Sequence, residues 1–264
     1  MLIAQITDLH YRVDGVRLFG AVDTHAATEA AIAHLLALSP RPDAVIVSGD
    51  LVNDGEDEDY AALAALLRGV PMPVYCVPGN HDRRDMVRRH FGFTGVLPET
   101  GPLSFAVDSR PVRIIGLDTL DEGRHGGRLG VDQLFWLDES LSAEPDRPTL
   151  VFLHHPPFRT GIGFMDAIML EDADSFAAVI ARHRQVEAVT CGHVHRTVVT
   201  RFDGTIATIA PGVAHHVPLD IAEEAGPAWV AEPPACLLHL HRPDTGFVSH
   251  VSFIGDHGPV VLFD

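Results

Sequence analysis

Positive charge is scarce in this chain: 19 basic side chains, all arginine, stand against 36 aspartates and glutamates, a formal net charge of −17 over 264 residues. That balance argues against broad electrostatic gripping of nucleic acid or of an anionic membrane, so any phosphate chemistry must rest on local positive charge. Cysteine is also scarce. Cys76, Cys191 and Cys236 are widely spaced and lie in or at the end of apolar runs, which speaks against a disulfide framework or zinc knuckle and predicts buried thiols. No apolar run approaches the roughly 18 residues of a membrane span. The N-terminus has no basic stretch, and Gln5, Asp8 and His10 interrupt its apolar run, which argues against a signal peptide. A soluble cytoplasmic protein is expected.

What is present in quantity is apolar residues, 46% of the chain, enough for a substantial core in one large domain or two small ones. There is no internal repeat, low-complexity tract or linker. One pattern recurs: an apolar, strand-like run that ends at once in Asp, Asn or His. It occurs at Ile3 to His10, at Ala44 to Asn53 around Gly49-Asp50, at Val74 to Asp82, at Leu150 to Pro157 and at Ala188 to His195.

Helical spacing alternates with these strands. Ala27, Ala31, His34, Leu35 and Leu38 follow a cap at Asp23 or Thr24 and stop before Pro40, and Tyr60, Leu63, Ala64 and Leu67 repeat at helical intervals behind Glu56 to Asp59. The alternation predicts βαβ units and a largely parallel sheet, with functional groups beyond the carboxyl ends of its strands. Paired strands are expected at Leu103 to Val107 and Val112 to Asp118 around a turn at 109–111, and Asp132 is expected to cap a helix. Ile162 to Leu170 reads as an apolar loop overhanging a site, and Asp220 to Pro234 as an acidic loop. Asp203-Gly204 marks a two-residue hairpin at about 197–210. Arg83, Arg84, Arg88 and Arg89 cluster on a helix, as a solvated face or as a contact for substrate phosphate.

Asp8, His10, Asp50, Asn80, His154, His193 and His195 all fall at strand ends. Oxygen and imidazole ligands without thiolates suit Fe, Mn, Co or Zn. Seven are too many for one tetrahedral ion, but they fit two ions sharing a carboxylate at roughly 3.5–4 Å, an arrangement that ionises a bound water and clamps phosphoryl oxygens. Two divalent ions bring about +4 against −2 from Asp8 and Asp50, so the site stays cationic inside an acidic protein.

In this order, Asp8-Leu9-His10, Gly49-Asp50, Gly79-Asn80-His81-Asp82, His154-His155-Pro156-Pro157 and Gly192-His193-Val194-His195 resemble the motif set of the calcineurin-like dinuclear metallophosphoesterases, over roughly residues 3–216. The resemblance implies an α/β fold, a four-layer α/β/β/α sandwich with two mixed sheets. It also implies one metal on Asp8, His10, Asp50 and His195 and a second on Asp50, Asn80, His154 and His193, with Asp50 as the bridge. By the same resemblance His81 contacts phosphate or aids the leaving group; His155, next to a ligand, is expected to support the ligands from behind, or else to be structural. The opening Leu2 to His10, Arg41 to Val45, Met165-Asp166 and Pro211 to His215 are similar to bacterial glycerophosphodiesterases of the class III cyclic-nucleotide phosphodiesterase branch, which implies that His215 lies near the substrate. Asp50, His81 and His215 are the catalytic candidates; Asn80, His81 and His215 are the substrate-binding candidates. Residues 1–250 are then expected to form the catalytic domain, and 251–264 a cap or dimerisation element of a homo-oligomer. The expected activity is hydrolysis of small phosphodiesters, glycerophosphodiesters or cyclic nucleotides, without nucleic-acid or membrane partners. The alternatives are a phosphomonoesterase or nuclease on the same fold, or a metal-free interaction scaffold.

Overall fold

The computed structural model describes residues 1–264 except 14, 109, 110, 223, 224, 260 and 264. Every residue of the strand Ala44–Ser48 is buried, yet its side chains serve two different cores. Ala44 and Ile46 face one way and Val45 and Val47 the other, the period of two that extended backbone imposes. A strand apolar on both faces needs cover on both sides, and that requirement generates the layers.

The first sheet runs in the order β11 (Gly246–Phe253), β10 (Ala235–Arg242), β1 (Leu2–Ile6), β2 (Ala44–Ser48) and β3 (Val74–Val77). The second runs β4 (Phe105–Val107), β5 (Arg113–Leu117), β6 (Thr149–Leu153), β7 (Val186–Cys191), β9 (Thr205–Ile209) and β8 (Val198–Phe202). Three apolar clusters separate four layers. Helices α1 (Thr24–Ala37), α2 (Asp57–Arg68) and α3 (Arg84–Phe91) bury Leu35, Leu63 and Phe91 with Val45 and Val47 of the first sheet. Helices α4 (Gly130–Ala143), α5 (Gly163–Asp166) and α6 (Ala173–Ile180) bury Leu137, Met165 and Phe176 with Val151 and Leu153 of the second. Between the sheets lie Ile3, Ile46, Val77, Ile114, Leu150 and Phe152. This is the expected α/β/β/α sandwich.

Several local expectations change. The sheets are mixed, as the resemblance implies, where the strand-helix alternation taken alone predicts a largely parallel sheet: β1, β2 and β3 are parallel, as are β5, β6, β7 and β9, but β10, β11, β4 and β8 pair antiparallel at the flanks. Asp23 caps α1 as expected, accepting from the Ala26 N–H at 2.9 Å. Asp132 does not cap α4. Asp172, at the start of α6, accepts from the N–H groups of Leu129 and Gly130, because the two helices begin side by side. The segment Ile162 to Leu170 contains α5 and sends Ile162, Met165 and Leu170 into the outer core of the second sheet instead of overhanging a site. The Asp203-Gly204 hairpin forms with both residues at positive φ, 40° and 93°, as a tight two-residue turn requires. Part of the turn expected at 109–111 lies outside the described residues. β11 continues to Phe253 opposite Ala235, so a boundary at residue 250 falls inside a strand. All three cysteines are buried and free. No helix among the described residues is long and apolar enough to cross a membrane.

Toward the carboxyl ends of β1, β2 and β7 the inter-sheet layer turns polar. Gln5 donates from Nε2 to Ser48 Oγ (2.8 Å) and to the Cys191 carbonyl (3.0 Å), and its Oε1 accepts from Thr190 (2.5 Å) and from His239 Nε2 (2.9 Å). His239 Nδ1 accepts from the Ser249 hydroxyl at 2.7 Å, so the neutral ring is fully satisfied. Burial pushes this imidazole down to about 4. The unfolded chain accepts a proton near pH 6.5 that the native chain refuses, so this contribution to stability is whole above pH 6.5 and is lost as pH falls toward 4. At pH 5 the loss is about 2 kcal/mol. His239→Gln, which cannot titrate, is expected to flatten the pH slope of urea unfolding between pH 7.5 and 5 by that amount; an unchanged slope would refute the assignment.

Candidate metal centre

The loops after β1, β2, β3, β6 and β7 meet above the polar end of the sandwich. Backbone bonds lace them together: the Asp8 N–H donates to the Gly49 carbonyl (3.1 Å), His10 to Asp50 (3.0 Å) and Gly192 to His154 (3.1 Å). Asp8, His10, Asp50, His193 and His195 all have positive φ, between 41° and 71°. Left-handed backbone is costly for non-glycine residues and persists where the surroundings enforce it, typically at functional sites. β1 ends at Ile6, so Asp8 and His10 stand in curled rather than extended backbone. Their side chains converge because the chain curls at both residues, not because i and i+2 share a strand face.

The polar atoms come together in two groups that share Asp50. In the first, Asp8 Oδ1 lies 3.2 Å from His195 Nε2, His10 Nε2 lies 3.2 Å from His195 Nε2, and Asp50 Oδ2 lies 3.4 Å from His10 Nε2. In the second, Asp50 Oδ1 lies 3.5 Å from His154 Nε2, which is 3.2 Å from both Asn80 Oδ1 and His193 Nδ1. Asp8, His10, Asp50 and His195 offer ligand atoms all within 4.8 Å of one another.

The tautomers explain why nitrogens face nitrogens. His154 Nδ1 donates to the Ser48 carbonyl (2.8 Å), His195 Nδ1 to the His215 carbonyl (3.1 Å) and His10 Nδ1 to Asn53 Oδ1 (3.2 Å). In its neutral form each ring turns an Nε2 lone pair inward, and two lone pairs at 3.2 Å do not bond to each other. A cation between them satisfies both, and a histidine whose far nitrogen is anchored to a carbonyl is the usual form of a metal ligand. The donor set therefore fits metal ions.

Charge points the same way. Burial would raise the Asp8 carboxyl, but His195 and His154 outweigh it and hold Asp8 below the carboxylate range; burial likewise opposes Asp50, which His154 and His81 pull well down. Burial, reinforced by His154, pushes His193 down to about 3, and burial pushes His10 to about 3 against the pull of Asp50. Burial opposes a charge on the other two rings, but Asp50 raises His154 to about 9 and Asp8 raises His195, so without ions two imidazolium rings balance Asp8 and Asp50, a balance that bound cations would take over.

The other candidates surround this cluster. The His81 N–H donates to Asp50 Oδ1 at 2.9 Å and its Nδ1 to the Asn53 carbonyl at 2.8 Å, leaving Nε2 free on a half-buried ring 4.7 Å from that of His10. The His215 ring is 4.5 Å from His195 and 5.1 Å from His10, with its buried Nδ1 unpartnered. His155 sits beside His154 and His193, but Thr119 and the His125 carbonyl occupy its two nitrogens, in keeping with a structural role. The arginine cluster makes protein contacts: Arg84 pairs with buried Asp118, Arg88 with the carbonyls of Pro98 and Gly101, Arg89 with Asp57 and Arg83 with Asp85.

Sequence reasoning missed two supports. Asp82 accepts from the backbone N–H groups of Leu51 (3.0 Å), Val52 (3.3 Å) and Gly79 (2.8 Å) and from the Tyr60 hydroxyl (3.1 Å), pinning the loops that carry Asp50 and Asn80 together. Asn53 orients both His10 and His81. Their proximity in sequence to Asp50 and Asn80 was the available signal.

Residues 1–197 match the model of the calcineurin-like phosphoesterases. The chain belongs to that family. It is a metal-dependent phosphoester hydrolase, and the family implies two divalent ions. A probable glycerophosphodiester phosphodiesterase of Arcobacter nitrofigilis is 35% identical, over 100% of this chain and 97% of its own length. A probable cyclic nucleotide phosphodiesterase of Rhodopseudomonas palustris is 36% identical, over 98% and 95%. The crystal structure of a dimetal phosphatase from Danio rerio shares the calcineurin-like phosphoesterase fold at a TM-score of 0.66 and 15% identity, covering 97% of this chain and 99% of that one.

Proposed function

We propose that this calcineurin-like phosphoesterase hydrolyses small organic phosphodiesters, glycerophosphodiesters or cyclic nucleotides, at two ions drawn from Fe, Mn, Co and Zn. One ion takes Asp8, His10, Asp50 and His195, the other Asp50, Asn80, His154 and His193. The observation that carries this reading is the division of Asp50: Oδ2 faces His10 and Oδ1 faces His154, the disposition of a bridging carboxylate. When bound, the ions supply an ionised water as nucleophile and positive charge for the phosphoryl oxygens. The chain's own residues do the rest. His81, held by Asn53 with Nε2 free, contacts a phosphoryl oxygen or donates a proton to the departing alkoxide. His215, at the rim, lies against the ester arm. Asn80 contributes a neutral amide oxygen and so spares the site a third negative charge.

The names of the relatives support the diester class. A nuclease is disfavoured by the net charge of −17. Three free, buried thiols accord with a reducing cytoplasm. Edge strand β11, with Val248, Val251 and Phe253 exposed, is where a second copy would pair in a homo-oligomer, with 251–264 as part of that contact.

The deciding experiment reconstitutes the protein with each metal and measures turnover of glycerophosphodiesters, 2′,3′- and 3′,5′-cyclic nucleotides, monoesters and single-stranded DNA. Diester hydrolysis is expected to exceed monoester hydrolysis by about tenfold or more, equivalent to ~1.4 kcal/mol of transition-state discrimination, and to vanish on chelation. Faster monoester or DNA hydrolysis would overturn the reading.

A further inference from the structure

Two large aromatic side chains beside the metal centre remain in water. Phe19 is 58% exposed and Trp229 is 40% exposed, although they come from loops 210 positions apart. Their rings lie 5.5 Å apart at an interplanar angle of 16°, and the rings of His215 and Phe19 meet in a T-shaped contact at 5.5 Å and 86°. A continuous line of rings therefore runs from His10 and His195 through His215 to Phe19 and Trp229.

Both aromatics are held in place by backbone bonds. Leu18 and Val22 exchange hydrogen bonds of 2.9 Å, closing a small tip on which Phe19 sits at φ 54°. That is an unfavourable conformation for a bulky residue, imposed on a side chain that gains little burial from it. Trp229 precedes Val230, which exchanges bonds of 2.9 and 3.0 Å with His216, the neighbour of His215. The fold thus spends backbone order on presenting a partly exposed two-ring stack to solvent at the rim of the site.

We infer that Phe19 and Trp229 form a stacking platform for a flat nucleobase, making a diester with a nucleoside arm the substrate class this site selects. The inference rests on the phosphodiesterase reading above. Bases stack on aromatic side chains through their π-faces with little dependence on which base is present. The outer face of the Phe19–Trp229 stack offers such a plane, whereas a quaternary ammonium group is held by a cage of aromatic faces around it. Ring-to-ring steps of 5.1 Å from His10 to His215 and 5.5 Å from His215 to Phe19 leave a span that a ribose can bridge between a phosphate at the metals and a base on the platform.

Two measurements test this. The chain has two tryptophans, and in a Trp136→Phe background fluorescence reports on Trp229 alone. Adenosine 5′-monophosphate is expected to quench it in the metal-loaded protein and ribose 5-phosphate to leave it unchanged; equal responses would overturn the platform. In the metal-loaded enzyme, Trp229→Ala is expected to raise KM for 3′,5′-cyclic AMP about tenfold with kcat within about twofold, while KM for glycerophosphoethanolamine stays put. Trp229→Phe should retain most of the wild-type KM. Equal losses on every diester, or a loss confined to glycerophosphocholine, would overturn the proposal, the latter by showing a cationic arm on these rings. If no diester is turned over, the phosphodiesterase reading fails, and the quenching comparison still decides whether a base stacks here.

Discussion

Asp50→Ala is expected to empty both metal positions and to lower phosphodiester turnover by about a thousandfold or more, because in the proposed assignment both ions share the one side chain. Its two oxygens point to different histidines, His10 and His154, at 3.4 and 3.5 Å. Removing it deletes the only carboxylate of the second group and one of two in the first. Asn80→Asp is the contrast. It adds a negative charge where a neutral amide stood, on the His154 side alone, and should alter occupancy and affinity mainly at that position. Metal analysis of the purified variants, beside turnover, separates the two. An Asp50→Ala protein that keeps two ions and full activity would sink the bridging assignment.

Gly79→Ala is expected to be the most damaging single-methyl change in the site. A Cβ there would lie 2.2 Å from Asp50 Oδ1 and 2.3 Å from the Asp50 backbone nitrogen, and the second clash is with main chain that cannot rotate away. Overpacking of this kind costs about 1–3 kcal/mol. It also pushes Asp50 from both ligand groups and disturbs the Gly79 N–H bond to Asp82. Because a displacement near 1 Å at a reacting centre costs about a hundredfold in rate, activity should fall by that order even where the chain folds. Gly92→Ala, where nothing lies within 4 Å of the added carbon, is the control and should stay within about 0.5 kcal/mol of the parent. Thermal unfolding and turnover on the two variants test both halves; equal behaviour would refute the close-approach argument.

The chain's own letters determined a good deal. The strand-then-ligand pattern marked Asp8, His10, Asp50, Asn80, His154, His193 and His195, and the structure brings all seven together, because in an α/β sandwich the carboxyl ends of neighbouring strands necessarily adjoin. The Asp203-Gly204 turn and the Asp23 cap were equally legible, since a two-residue turn and a helix cap depend on the residues that form them. Even here the route was different: Asp8 and His10 converge through left-handed backbone that only the bonds to Gly49 and Asp50 impose.

What the tertiary structure alone decided involves partners far apart in the chain. Asp172 caps α4 from more than forty residues away, so Asp132 had no means of revealing that its place was taken. Of the four arginines in the Arg83 to Arg89 stretch, Arg83 and Arg89 do form a solvated face, whereas buried Asp118 claims Arg84 and two carbonyls claim Arg88 once the loops fold back. The segment Ile162 to Leu170 looked like an overhanging loop because its apolar residues had no visible place to go, and the second sheet supplied one. Phe19 and Trp229 are the extreme case. Local chemistry writes itself into neighbouring residues, whereas a contact across the sandwich exists only after closure has been driven by apolar residues elsewhere, and so leaves no mark on the sequence around either partner.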